Sequence, residues 1–392
     1  MPQLPCHDAA MPPRWSAERT QRELIRLTHR QLDTATLYRE STELLARFVA
    51  FDAACGHTMD PATLLLTRQF SQQFDADGFA LVCRNEYLQP DVNKFASLLG
   101  RTMPVGTLRE ATAGRPDRSS RYREILRPFG FGPELRATFT TDGSCWASLV
   151  LLRQAERPEF SADEQKFVAS IGRYLAHAVR SSLLLAAVTD ESADDRAPGL
   201  VLLDADGAPE AINAPAHRWL ADLAVPGSTS GAAGLPGSIY VVAAAARRAA
   251  GGEPGARAEP ASLRVQTRSG RWLVLHGSVL DTGPATRTSV IIEVARPAEI
   301  APLIVQAYGL TDRERQITEL VLQGRSTDEM AKRLWLSPYT VQDHLKAIFK
   351  KVGVRSRRAL AARVFFEQYQ PRERAGARLS ADGWYAEPDP GI

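Results

Sequence analysis

The sequence predicts a multidomain α+β chain, and three features of its 392 residues predict it. Two stretches, about 134–153 and 200–294, break into strand-length apolar runs separated by Asp-Gly or Ser-Gly turns. Between them a long amphipathic helix opens after Phe160. Everything after Leu310 repeats its apolar residues at helical spacing. The length suggests two or three domains rather than one, and 44% hydrophobic with 24% charged residues suffices for packed cores.

Taken in order, residues 1–15 hold four prolines without a pattern and read as a disordered N-terminus. Ser16 can cap a helix running to Leu32, and Thr36–Phe51 reads as a second helix carrying Leu37, Leu44, Leu45, Phe48 and Val49. Pro61–Arg68 and Phe79–Arg84 look like strands joined by polar Gln69–Asp77, and Arg109–Arg121 reads as a loop. Glu134–Thr141 and Cys145–Arg153 form a hairpin around Asp142-Gly143. Ser161 and Glu164 have capping-box spacing, with Phe160 placed as a hydrophobic staple. The helix they open bears a stripe of Phe167, Val168, Ile171, Leu175, Ala178 and Val179, which can pack on its own sheet or pair between protomers. These elements make a first domain over 16–188, closed by the acidic boundary Thr189–Pro198.

A second module follows over 198–296. Leu200–Asp204 and Pro209–Asn213 flank an Asp206-Gly207 turn, and Ala214–Leu223 is a short helix. Pro226–Gly237 is loop-like, and its Gly227-Ser228-Thr229-Ser230-Gly231 misses an esterase elbow because Thr229 holds the nucleophile position. Strands are expected at Ser262–Arg268, Trp272–Leu280 and Thr288–Val294, with turns at Ser269-Gly270 and Asp281–Pro284. Pro297–Pro302 reads as a connection, 303–370 as a helical domain and 371–392 as a flexible tail.

Composition narrows the chemistry. Net charge is +3, yet residues 310–372 carry 13 Lys/Arg against 7 Asp/Glu while the remainder carries 35 against 38. Four of the six lysines lie in that segment. Cys6, Cys55, Cys83 and Cys145 are scattered, without metal-ligand spacing and too few for a disulfide framework, which predicts reduced thiols in a cytoplasm. Cys145, beside Trp146 in an expected strand, reads as an inert buried thiol. The N-terminus lacks a basic region followed by an apolar run, and no apolar run approaches the roughly 18 residues a membrane span needs, so neither secretion nor membrane insertion is expected. No catalytic constellation, metal cluster, phosphate-binding G-x-x-x-x-G-K-[ST] loop or cofactor signature is present, so an enzyme is not expected; Asp52 lacks the setting of a phosphorylatable aspartate, and His217 and His276 are isolated.

The basic segment carries the chemistry. Thr311 with Glu314 and Ser326 with Glu329 repeat the capping-box spacing, and Gly324 ends the first of these helices. Ser337 caps a third helix with Pro338 at its first position, ending at Gly353, and Ser356 opens a fourth. Two helices joined by Trp335-Leu336 make a helix-turn-helix. In the third helix Val341, Leu345, Ile348, Phe349 and Val352 belong to a core, while Gln342, Asp343, Lys346 and Lys350 project the other way. Gln342 can pair an adenine edge, Asp343 can accept from cytosine and Lys346 can donate to guanine in a major groove. Ser337, Tyr339 and Thr340 at the helix N-terminus, with Lys350, Lys351, Arg355 and Arg357, are candidate phosphate contacts.

Leu310-Thr311-Asp312-Arg313-Glu314-Arg315, Gly324-Arg325-Ser326, Leu336-Ser337-Pro338-Tyr339-Thr340-Val341, His344 and Lys350-Lys351-Val352-Gly353-Val354-Arg355-Ser356-Arg357 resemble the LuxR/GerE-type helix-turn-helix. The resemblance implies a bacterial transcription regulator that binds double-stranded DNA through its third helix. It also implies a homodimer at least on DNA, paired through the fourth helix, with RNA polymerase as a candidate partner. Several relatives carry Lys and Val where this chain has Gln342 and Asp343, which leaves the operator open. In that pattern His344 packs or touches phosphate. Upstream, 16–188 resembles a GAF domain in the order of its elements, implying a sensory pocket for a small-molecule ligand. Residues 198–296 resemble a PAS module. The alternative function is a signalling scaffold acting through protein partners.

Overall fold

The structure, a computed structural model, describes residues 15–72, 79–185, 197–224, 235–251, 261–281 and 286–365. Residues 1–14 of the N-terminus expected to be disordered over 1–15, most of the acidic boundary, the loop holding the broken esterase motif, residues 282–284 of the expected Asp281–Pro284 turn, Cys6 and the C-terminal tail lie outside the described residues.

The first part comprises α1 (Ala17–Thr28), α2 (Thr34–Leu45), β1 (Ala53–Met59), β2 (Leu66–Gln72), α3 (Phe79–Leu88), α4 (Phe95–Leu99), β3 (Val105–Thr107), α5 (Leu108–Ala111), β4 (Phe131–Thr141), β5 (Ser144–Gln154) and α6 (Ala162–Leu185). Its strands form an antiparallel sheet in the order β2-β1-β5-β4-β3. The β4–β5 hairpin turns on Asp142 and Gly143, both at positive φ, as the Asp-Gly pair requires. Because side chains alternate along a strand, β4 sends Leu135, Ala137 and Phe139 to one face and Glu134 and Arg136 to the other. The first face is covered by α1, α2 and α6, with Phe167, Val168, Ile171 and Leu175 of α6 in that core. The α6 stripe therefore packs on its own sheet. Gly56 of β1 is obligatory, since a Cβ there would sit about 2.1 Å from the Tyr38 ring that leans on the strand.

The second part comprises β6 (Gly199–Leu203), β7 (Pro209–Ile212), α7 (Ala214–Leu223), α8 (Gly237–Ala250), β8 (Ala261–Gln266), β9 (Trp272–Asp281) and β10 (Thr286–Val294). Its antiparallel sheet has the order β7-β6-β10-β9-β8. Asn213 caps α7, its side chain accepting from Ala216 N–H at 2.9 Å. The two parts share one core: Phe79, Cys83 and Tyr87 of α3 meet Ile239, Val242 and Ala243 of α8.

Several elements depart from sequence expectation. Phe79–Arg84, expected as a strand, is the start of helix α3. A short apolar run is ambiguous by pattern alone, and here Phe79, Cys83 and Tyr87 are buried at helical spacing. Strand β2 begins at Leu66 rather than Pro61 and continues through residues expected as a connection, because 61–65 form a turn in which Leu64 takes positive φ. The Arg109–Arg121 stretch contains the end of α5 and a 3₁₀ turn at Pro116–Arg118. Pro297–Pro302 is not a plain connection but opens α9 (Pro297–Ala307).

The remaining helices are α10 (Asp312–Leu322), α11 (Thr327–Leu334), α12 (Pro338–Val352) and α13 (Arg357–Phe365). Helix α9 joins them to the rest. Its Ile300, Leu303, Ile304 and Ala307 lie in the core under the first sheet, while Ala301 and Val305 lie in the core of the C-terminal helices.

His57, 2% exposed on β1, places Nδ1 3.1 Å from Ser148 Oγ and Nε2 3.2 Å from Cys55 Sγ. Burial, aided by the charge of Arg136, lowers its pKa from 6.5 to about 3. The unfolded chain then takes up the proton first, so stability is full above the unfolded value and falls as pH drops from 6.5 towards 3. The limiting slope is about 1.4 kcal/mol per pH unit. Urea unfolding of His57→Gln is expected to show a shallower acid loss than the parent; equal slopes would refute a buried neutral imidazole.

Candidate nucleic-acid interface

The C-terminal helices are placed by local signals that a short peptide already contains. Thr311 accepts from Glu314 N–H at 3.3 Å while the Glu314 carboxylate accepts from Thr311 N–H at 2.7 Å. Ser326 and Glu329 repeat this exchange at 3.2 and 2.7 Å. Each pair satisfies two helix N–H groups that would otherwise lack partners. Helix α11 stops at Trp335, whose φ of 55° and ψ of 45° are left-handed. That residue reverses the chain, and Leu336 N–H returns to Ala331 C=O at 2.9 Å. Ser337 then caps α12, accepting from Thr340 N–H at 3.0 Å. Gly353 ends α12 at φ 73°, where a residue without Cβ avoids strain.

Burial sets the rotation of α12. Val341, Leu345, Ile348 and Val352 pack against Ile317, Leu320, Met330 and Ala331. The opposite side is open to solvent. It carries Tyr339, 71% exposed, together with Gln342, Asp343, Lys346 and Lys350. Lys346 Nζ donates to Asp343 Oδ1 at 3.0 Å and lies 6.0 Å from the Tyr339 ring centroid. The hydrogen bond and charge of Asp343 raise the Lys346 pKa above its ordinary value. Gln342, Asp343 and Lys346 are thus brought onto one exposed ridge, one turn apart.

The candidate phosphate contacts divide into two groups. Ser337, Tyr339, Lys350 and Arg355 are exposed, and Thr340 is half-buried beside the Ser337 cap. Lys351 and Arg357 are held by their own domain. Lys351 Nζ donates to Glu314 Oε2 at 2.6 Å, tying the end of α12 to the start of α10. Burial raises the Glu314 pKa, but the Lys351 hydrogen bond and the Thr311 cap outweigh it, and the carboxyl titrates below its ordinary value. Arg357 Nη2 donates to Thr327 Oγ1 at 2.5 Å, tying α13 to α11. The sequence reading placed Trp335 in the turn but not among the site residues, although it is 93% exposed there. The only signal for it was a large aromatic between two helices in a position that must reverse the chain.

A second candidate site lies on the other face of the first sheet. A cavity of about 40 Å³ is lined by Cys55, His57, Phe95, Val150, Arg136 and Glu134, among others. Arg121 grips Glu134 through Nε and Nη2 at 2.9 and 2.7 Å, and Arg136 Nη2 meets Glu86 at 2.7 Å. Arg136 Nε is buried without a hydrogen-bond partner. Among the described residues no group of three or more His, Cys, Asp or Glu could hold a metal ion, and no helix is long and apolar enough to cross a membrane.

The family described as bacterial regulatory proteins, luxR family, matches residues 309–364. An HTH-type transcriptional regulator of Mycobacterium bovis is 48% identical over 48 residues, which are 12% of this chain and 5% of that protein. The spore germination protein GerE of Bacillus subtilis is 42% identical over 48 residues, 12% of this chain and 65% of GerE. The chain therefore spans only a small part of the mycobacterial relative and just under two thirds of GerE. The phycoerythrobilin-bound GAF domain of a cyanobacterial phytochrome is 18% identical and covers 44% of this chain and 97% of its own, with a TM-score of 0.32; at that score the likeness adds nothing to the fold described above.

Lys350→Ala is expected to weaken binding to all DNA sequences alike and to reduce the salt slope by about 1. Lys346→Ala is expected to alter preference at one base position. Lys351→Ala is expected to lower domain stability by about 1 kcal/mol, because it leaves the Glu314 carboxylate without its cation. Fluorescence anisotropy across a salt series and thermal unfolding separate the three, and identical behaviour would overturn the division.

Proposed function

With residues 309–364 standing as a luxR-family helix-turn-helix domain, we propose that the whole chain is a cytoplasmic, sequence-specific, DNA-binding transcriptional regulator, and not an enzyme. One observation carries the reading: α12 is locked in rotation by its buried side, so that Gln342, Asp343 and Lys346 share a single solvent-facing ridge. A helix of this width fits the major groove of B-DNA, and amide, carboxylate and ammonium groups can pair base edges there. Ser337 and Thr340 put helix N–H groups where a phosphate is favoured, and Lys350 and Arg355 add positive charge. Asp343 opposes nonspecific attraction to phosphate while accepting from a matching cytosine.

The regulator binds as a homodimer on a dyad site, with RNA polymerase as the partner through which it changes transcription. The N-terminal parts supply control. The cavity beside Arg136 is the sensory site, where the partnerless Nε–H awaits an acceptor on a small, otherwise apolar ligand.

Binding to promoter fragments selected from a random pool is the test. The logarithm of the affinity is expected to fall linearly with the logarithm of salt, with a slope of about 0.9 per phosphate neutralised, and Asp343→Ala is expected to raise affinity for unselected DNA. Salt-independent binding, or enrichment of no sequence, would sink the DNA reading in favour of a protein scaffold. Native mass spectrometry of the full chain is expected to show an extra small mass that Val150→Trp, which fills the cavity, abolishes.

A further inference from the structure

A second cavity, of about 20 Å³, sits where the two sheets and the helix α9 meet. Its walls come from β1 and β2 (Thr58, Thr67, Arg68), from Asp60 just past β1, from Trp146 of β5, from α6, from Arg264 and Gln266 of β8, from Trp272 of β9 and from Leu303 of α9. Trp146 is 1% and Trp272 5% exposed, and both indole N–H groups are buried without a hydrogen-bond partner. A buried donor normally finds an acceptor, and the cavity bordered by both rings is the space in which one acceptor can serve both.

The lining shows what that acceptor is. The charged acceptor of the lining is already engaged. Asp60 takes Arg264 Nε and Nη2 at 2.8 and 2.6 Å, and its Oδ1 also takes Ala62 N–H at 2.9 Å. The Gln266 backbone carbonyl takes Arg68 Nη2 at 2.8 Å, and the Thr58 and Thr67 hydroxyls bond to each other at 2.5 Å. Two guanidinium groups border the cavity against one carboxylate. Two partnerless donors beside two guanidinium groups suit a small anion, and the volume admits a single ion or atom.

We propose that this junction holds a halide, chloride under ordinary conditions, received by the indole N–H groups of Trp146 and Trp272. Leu303 forms part of the wall, so the bound ion adds cohesion between both sheets and the helix that leads to α10. This site is independent of the DNA reading, and its test uses no DNA.

The full-length protein is titrated with sodium chloride against sodium gluconate at constant ionic strength, following tryptophan fluorescence and thermal unfolding. A saturable chloride-specific change in both is expected. Trp146→Phe and Trp272→Phe are each expected to weaken the apparent chloride affinity about ten-fold, the loss of one charge-assisted hydrogen bond. Trp335→Phe, at an exposed position, is expected to leave it unchanged. Because the core variants can fail to fold, crystals of the parent grown in bromide provide the second measurement, with an anomalous peak expected within hydrogen-bond reach of both indole nitrogens. Indistinguishable chloride and gluconate titrations, a chloride response that survives in a folded Trp146→Phe/Trp272→Phe double variant, or a bromide crystal with only water in the cavity would each overturn the proposal.

Discussion

Helix α9 buries Ile300, Leu303 and Ile304 in the core beneath the first sheet and Ala301 and Val305 in the core of the helix-turn-helix domain. Full burial of one large aliphatic side chain is worth about 1.5–3 kcal/mol, so drawing α9 away from the sheet costs a large part of a domain's usual net stability. A connection of this kind has no slack. Gln306 reinforces it by donating to Ser144 at the β4–β5 turn at 2.6 Å, and Arg180 of α6 packs against Gly309, just past the helix end. The helix-turn-helix domain is therefore carried on the core beneath the first sheet, and repacking of that core acts on α9 through contact.

Arg264 shows how far apart in sequence the stitching residues lie. From β8 it holds Asp60, at the end of β1, and reaches the Glu299 carbonyl in the first turn of α9 at 3.2 Å. One side chain thus joins the first sheet, the second sheet and the connecting helix. Buried ion pairs of this sort add little net stability, but removing one partner strands the other at a cost of about 3–5 kcal/mol. Arg121 with Glu134 and Arg136 with Glu86 stand in the same relation around the larger cavity.

The contrast between readable and unreadable elements follows from the range of the interactions that make them. The helices from α10 to α12 were legible because caps, Pro338 and Gly353 act within four residues of each helix end. The Asp142-Gly143 hairpin was legible for the same reason. Strand β1, Ala53–Met59, carries Cys55, Gly56 and His57 with no alternation to read, and it becomes a strand because it pairs with β2 on one edge and β5 on the other. Helix α8 went unread because its alanine-rich sequence, buried on nearly every side, lacks an amphipathic period. The exposed ridge of α12 could be drawn from spacing alone, whereas the internal contacts of Lys351 and Arg357 could not, since their partners lie 37 and 30 residues away.

Those contacts separate the cations of the candidate interface by how freely they can move. The Lys346–Asp343 pair is exposed on both sides, and exposed pairs are weak and screened by salt. Either side chain can turn away from the other at little cost, so the ridge is adaptable. Lys351 faces a different balance. Its partner Glu314 is 5% exposed and also closes the α10 capping box. Turning Lys351 out to a phosphate would leave that carboxylate without its cation, a loss comparable with the gain from a single phosphate contact. An adaptable ridge and a fixed cation at the base of the helix are two consequences of one fact, namely which carboxylate each lysine meets.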